Sequence, residues 1–226
     1  MIIKKEGINM LSKIYRHLHR SFSRSGEKGE YSGGYWQDRV RRLALGLCRG
    51  AKGRVLEVGC GEGLFLARLA EENQSLEIHG VDNDAGRLGK ARTALRDADL
   101  SVQDASTLSF PDGYFDIAVC INVLFNMESI ETAKRILREM KRVLRSGGRL
   151  IFDFRNSGNP LLFVKYRLAR YYDDTLKGLP LNTYSPKEIA AILYELRFKV
   201  VKREYIGFPH EAFASIIVIE AKKDAL

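Results

Sequence analysis

The sequence predicts an α/β fold built on a seven-stranded, mostly parallel sheet with an antiparallel C-terminal strand and helices on both faces. Three observations predict it. From Gly53 onward, short β-branched runs alternate with stretches of helical period, the pattern of βαβ units with right-handed crossovers. A glycine-rich turn separates the first of those strands from the first helix. Near the end, two strand-like runs follow each other with too short a connection for a crossover helix, so that pair must be antiparallel.

The elements follow in order. Ile8–Arg24 carries Lys13, Arg16, His17, His19, Arg20 and Arg24, with apolar residues at helical spacing, which makes a basic amphipathic helix. Ser25–Gly34 is a Gly/Ser-rich hinge. A second helix covers Tyr35–Cys48, so residues 1–52 read as a helical extension. Arg54–Gly59 is a strand, Leu64–Glu72 a helix, Leu76–Asp82 a strand and Ala85–Ala98 a helix. Leu100–Gln103 and Phe115–Ile121 are strands. Ser129–Leu144 is a helix expected to stop at Gly147-Gly148. Arg149–Phe154 is the next strand. Ser185-Pro186-Lys187-Glu188 is a capping box with proline at the first helical position, opening a helix to about Leu196. Lys199–Ile206 and Ala214–Ala221 are the closing strands.

Composition narrows the class. The chain has 226 residues, 45% hydrophobic and 29% charged, enough to fill a core and unlike a disordered chain. No apolar run approaches the roughly 18 residues of a spanning helix, and the start has no apolar stretch of signal-peptide length, so a cytoplasmic protein is expected. Cys48, Cys60 and Cys120 are too scattered for a disulfide framework or a CxxC site, and the four histidines form no HExxH motif. No metal is expected. A formal net charge of +9 favours anionic partners without specifying chemistry.

The sharpest signal is Val55-Leu56-Glu57-Val58-Gly59-Cys60-Gly61-Glu62-Gly63, followed by the helix from Leu64. Glycines there let the backbone turn tightly, approach a ligand and leave a helix N-terminus facing it. About twenty residues on, Asp82 ends the second strand, where a carboxylate can accept from both ribose hydroxyls. Leu64 stands where a dinucleotide fingerprint places its third small residue, which argues against an NAD-dependent oxidoreductase.

At this point the chain resembles the class I S-adenosylmethionine-dependent methyltransferases, over roughly Gly53 to the C-terminus. EVGCGEG, HGVDND (His79–Asp84), QDASTLSFPDGYFDIAV (Gln103–Val119) and LREMKRVLRSGGRLIF (Leu137–Phe152) carry the likeness in order. The resemblance implies a Rossmann-like domain over residues 53–226 and S-adenosylmethionine as cofactor. It places Gly59, Cys60, Gly61 and Gly63 along the cofactor, with Glu57 at its amino group. Asp82 takes the ribose, Asn83 lies against the adenine, and Asp104 and Ala105 meet the adenine edge. Ile121 and Asn122 border the methionine end and the sulfonium.

Methyl transfer needs mainly in-line positioning, so no catalytic residue need be visible; orientation alone supplies up to about 7–11 kcal/mol. His210, between the last two strands, is a weak general-base candidate. Asp153, Arg155 and Asn156 stand at the carboxyl edge of the sheet, where ligands bind, and read equally as substrate contacts or turn residues. The fourth strand ends in CINV, without the Asn/Asp-Pro-Pro-Tyr loop of amino-methylating relatives, and no cysteine follows a proline; no DNA partner is expected. The expected acceptor is a small molecule, anionic or apolar, methylated at oxygen or carbon. Residues 155–184 form an insertion that family resemblance makes a lid. The N-terminal helix could wall the acceptor site, touch a membrane surface or simply pack on the domain. An RNA or protein methyltransferase, and a non-catalytic interaction module on the same fold, remain the alternatives; salt-dependent RNA binding and a cofactor titration separate them.

Overall fold

A computed structural model describes residues 35–162, 164, 166, 180–208 and 211–224. The predicted basic helix at Ile8–Arg24, the hinge after it, most of the predicted lid and His210 lie outside the described residues. The first half runs α1 (Tyr35–Cys48), β1 (Gly53–Val58), α2 (Leu64–Glu72), β2 (Leu76–Asp82), α3 (Ala85–Ala94) and β3 (Asp99–Val102). The second half runs β4 (Phe115–Cys120), α4 (Ile130–Val143), β5 (Leu144–Arg155), α5 (Pro186–Glu195), β6 (Phe198–Ile206) and β7 (Ile216–Lys223).

The seven strands form one sheet in the order β3-β2-β1-β4-β5-β7-β6. β1 pairs in parallel with β2 and β4, and β4 with β5. β7 slots between β5 and β6 and runs antiparallel to both, so it alone is reversed. The chain leaves β1 toward β2 and β3, then crosses back to β4 on the other side of β1. That reversal of winding opens a crevice at the carboxyl ends of β1 and β4.

Alternation along the strands builds two cores. Leu56, Val58, Ala118, Leu150 and Phe152 pack on α4 and α5 through Ala133, Ile136, Leu137, Ile189 and Leu193. Val55, Ile117, Val119, Ile151 and Val218 pack on α1, α2 and α3 through Val40, Ala44, Phe65, Leu66, Leu69 and Leu88. Central strands buried on both faces are the expected result of parallel pairing. Helix starts follow local capping chemistry: Asp84 accepts from the amides of Gly86 and Arg87, and Ser129 from that of Thr132. Ser185 and Glu188 complete the capping box reciprocally. Among the described residues no helix is long and apolar enough to cross a membrane.

Two predicted boundaries move by more than two residues. β5 begins at Leu144, which pairs with Phe115, rather than at Arg149; α4 ends at Val143, one residue from its predicted Leu144, but without the glycine pair as its terminator. Lys223 ends the helix instead, its Nζ donating to the carbonyls of Lys141 (2.8 Å) and Leu144 (2.6 Å), while Gly147 (φ 69°) serves an irregular stretch of β5. α3 stops at Ala94, because Leu95 leaves helical geometry (φ −120°, ψ 71°) and turns the chain into β3.

Candidate functional site

The crevice has a volume of about 350 Å³. Its floor is the turn after β1. There the amides of Gly59 and Cys60 donate to the Val81 carbonyl (2.8 and 3.0 Å), locking the turn onto the end of β2. Gly59 sits at φ 76°, and a Cβ there would come within 2.4 Å of Val123 Cγ2. The turn therefore needs glycine for its conformation and for the close approach of the loop after β4.

Asp82 is 6% exposed and does two things at once. Its Oδ2 accepts from the Gly61 amide at 2.8 Å, and its Oδ1 from the Asp84 amide at 2.9 Å. Each oxygen keeps further acceptor capacity, so a carboxylate that braces the turn can still take vicinal hydroxyls.

Glu57 faces α1 because β1 alternates and Val55 points the same way. It is 3% exposed, and its Oε2 is buried without a hydrogen-bond partner. Burial pushes its carboxyl well above the ordinary carboxylate value; the Arg41 guanidinium opposes this, and the Asp82 charge adds to it. Arg41, itself 4% exposed, comes from α1 and lines the crevice. An orphaned carboxyl oxygen beside a buried guanidinium is a matched pair of receptors for an ammonium and a carboxylate. Asp104 lies near the other end, exposed, its carboxyl held below the usual range by the Ser106 amide and hydroxyl.

Of the residues singled out from the sequence, the crevice brings together Glu57, Gly59, Cys60, Gly61, Asp82, Asn83, Asp104, Ala105, Ile121 and Asn122. Gly63 is not on its wall: at φ 76° it precedes α2, and a Cβ there would strike Leu95 Cδ1 at 2.8 Å and Ala91 Cβ at 3.0 Å, so its place is in helix packing. Asn156 is tied into turns, its Nδ2 donating to the carbonyls of Ala212 (2.8 Å) and Ala214 (3.0 Å). His79 packs against Phe110, Tyr114 and Phe115 with its ring nitrogens on Asp99 and Glu77. Sequence reasoning missed Arg41 and Asn126. Arg41 reads as one more cation on an amphipathic helix, and only the docking of α1 over β1 turns it inward. Asn126, in the short 3-10 turn after β4, also lines the crevice, with a buried Oδ1 that has no partner.

Residues 56–152 match the family described as "Methyltransferase domain". Over 150 residues the chain is 33% identical to the demethylmenaquinone methyltransferase of Thermotoga maritima, covering 63% of each chain. It is 29% identical over 182 residues to the phosphatidylethanolamine N-methyltransferase of Cereibacter sphaeroides, covering 77% of this chain and 84% of that one. The chain thus spans less than two thirds of the length of the first of these. A solved SAM-dependent methyltransferase from Methanosarcina mazei superposes with a TM-score of 0.67 at 22% identity, over 81% of this chain and 98% of that one. Residues 56–152 thus match a methyltransferase domain, on the fold that solved SAM-dependent methyltransferases share. The orphaned Glu57 oxygen, Arg41 and the half-satisfied Asp82 carboxylate suit the amino-acid and ribose parts of S-adenosylmethionine.

Proposed function

We propose that this protein transfers a methyl group from S-adenosylmethionine to an oxygen or carbon of an apolar small-molecule acceptor, chiefly by proximity and orientation. The observation that carries this reading is the pairing of polar receptors in one crevice: Glu57 with an unpartnered oxygen beside Arg41, and Asp82 braced on the glycine turn. In this reading Glu57 takes the cofactor's ammonium and Arg41 its carboxylate. Asp82 takes the ribose, and Asn83, Asp104 and Ala105 surround the adenine. Ile121 and Asn122 border the methionine end and the sulfur. The bound cofactor supplies an electrophilic methyl on a cationic sulfur. The protein holds the acceptor in line, excludes water and leaves any proton removal to a side-chain base, for which His210 is the candidate.

Support for an apolar acceptor comes from the relatives, whose names specify demethylmenaquinone and phosphatidylethanolamine, both lipid-soluble. A basic surface and the N-terminal extension suit peripheral contact with a membrane from the cytoplasmic side. The bridge between Asn156 and Tyr184 brings the two ends of the predicted lid, residues 155–184, side by side, which suits that role. The test has two arms. Calorimetry with S-adenosylhomocysteine is expected to show micromolar binding, and no binding would remove the reading. Transfer of labelled methyl is then measured to a prenylated naphthoquinol, to phosphatidylethanolamine vesicles and to total RNA. Label in the naphthoquinol supports the proposal, label in phosphatidylethanolamine alone overturns its oxygen-or-carbon acceptor in favour of nitrogen, and label in RNA alone replaces it.

A further inference from the structure

Behind the crevice wall, at the ends of β4 and β5, lies a buried ion pair that the reading above does not use. Asp153 is 1% exposed and Arg155 is 4% exposed, and Nη1 of the arginine donates to Asp153 Oδ2 at 2.5 Å. Exchanging such a pair for well-packed apolar side chains commonly costs a fold nothing, so stability alone is a weak reason for it. Its other contacts converge on one residue. The Asn122 amide donates to Asp153 Oδ1 at 2.5 Å, and Arg155 Nη2 donates to Asn122 Oδ1 at 3.2 Å. Asn122 Nδ2 donates to the Gln37 carbonyl of α1 at 3.4 Å.

These contacts decide two things. Asn122 sits at φ 58°, a left-handed conformation that a side-chain-bearing residue keeps when its surroundings hold it. Its carboxamide is also oriented: Oδ1 is taken by the guanidinium, so Nδ2 faces α1 and keeps one N–H for the crevice. The guanidinium is in turn fixed by stacking over Phe125, 4.4 Å from the ring centroid, and by a hydrogen bond to the Tyr166 hydroxyl. A planar fork can serve Asp153 and Asn122 together, which an ammonium group cannot do with the same geometry.

We propose that Arg155, aligned by Asp153, is a positioning residue: it acts through Asn122 on the amino-acid end of the bound cofactor and touches the cofactor itself nowhere. This rests on the reading that places that end of the cofactor against Asn122.

The test compares S-adenosylhomocysteine with 5′-methylthioadenosine, which keeps the nucleoside and lacks the amino-acid part. In the parent the first ligand is expected to bind at least about tenfold tighter. Arg155→Lys is expected to weaken S-adenosylhomocysteine about tenfold and methylthioadenosine by less than about twofold. In an Asn122→Ala background the same change is expected to add nothing. Equal loss of both ligands, an unchanged S-adenosylhomocysteine affinity, additive losses in the double variant, or equal parental affinities would each overturn the proposal. If Arg155→Lys has no cooperative melt, Asp153→Asn is measured with the same two ligands. A parent that binds neither ligand defeats the proposed function as well; a parent that binds both, with variants that do not discriminate, defeats only the role of Arg155.

Discussion

Replacing Glu57 by glutamine separates what the buried carboxyl does for the fold from what it does for the ligand. The group is 3% exposed, its Oε2 has no partner, and burial raises it well above its ordinary value of 4.5 despite Arg41. A carboxyl raised in the folded state contributes stability that is fully present below the unfolded value and is lost as pH rises toward the folded one. Each pH unit in that window, with the folded group protonated and the unfolded group ionised, costs the parent about 1.4 kcal/mol. Glu57→Gln keeps the shape and removes the titration. The variant is therefore expected to gain on the parent as pH rises above 4.5. Urea melts of both proteins at several pH values from 5 upward measure this directly, and the difference curve cancels every other titrating group. Ligand binding moves the other way. The cofactor's ammonium favours the carboxylate, so S-adenosylhomocysteine affinity in the parent should rise with pH, by up to about tenfold per unit, and be flat and weaker in the variant. Parallel stability profiles, or a parental affinity that ignores pH, would refute this account of Glu57.

Three further outcomes follow from the same crevice and its frame. Asp82→Ala should weaken S-adenosylhomocysteine and methylthioadenosine alike by about 1–3 kcal/mol in calorimetry, and should also lower stability because the Gly61 and Asp84 amides lose their acceptor. Gly59→Ala combines a left-handed φ with a Cβ 2.4 Å from Val123, so a melting curve should show a loss of about 1–3 kcal/mol together with weakened ligand binding. Ser185→Ala removes one side of the capping box on α5 and should cost about 0.5–2 kcal/mol in a denaturant titration without changing ligand affinity.

Much of the fold was legible in sequence because its signals are local. The strand–glycine–helix turn, the acid ending β2 and the capping box at Ser185 each lie within a few residues, and the structure shows each where the pattern puts it. The missed helix terminator is instructive: Gly147-Gly148 looks like a stop, yet the competition is won by the pairing of Leu144 with Phe115 and by Lys223 reaching back to the Lys141 carbonyl. Neither partner is visible from the helix itself.

By itself, then, the sequence determined the order of strands and helices, the antiparallel closing pair and most of the polar groups on the crevice wall. Only tertiary structure decided that β7 enters between β5 and β6, that Arg41 meets Glu57 across the face of β1, and that Arg155 reaches Asn122 from the neighbouring strand. Periodicity tells which side of an element is apolar. Which charge meets which across two elements depends on how they are docked and in what register, and that is settled by packing of the whole core.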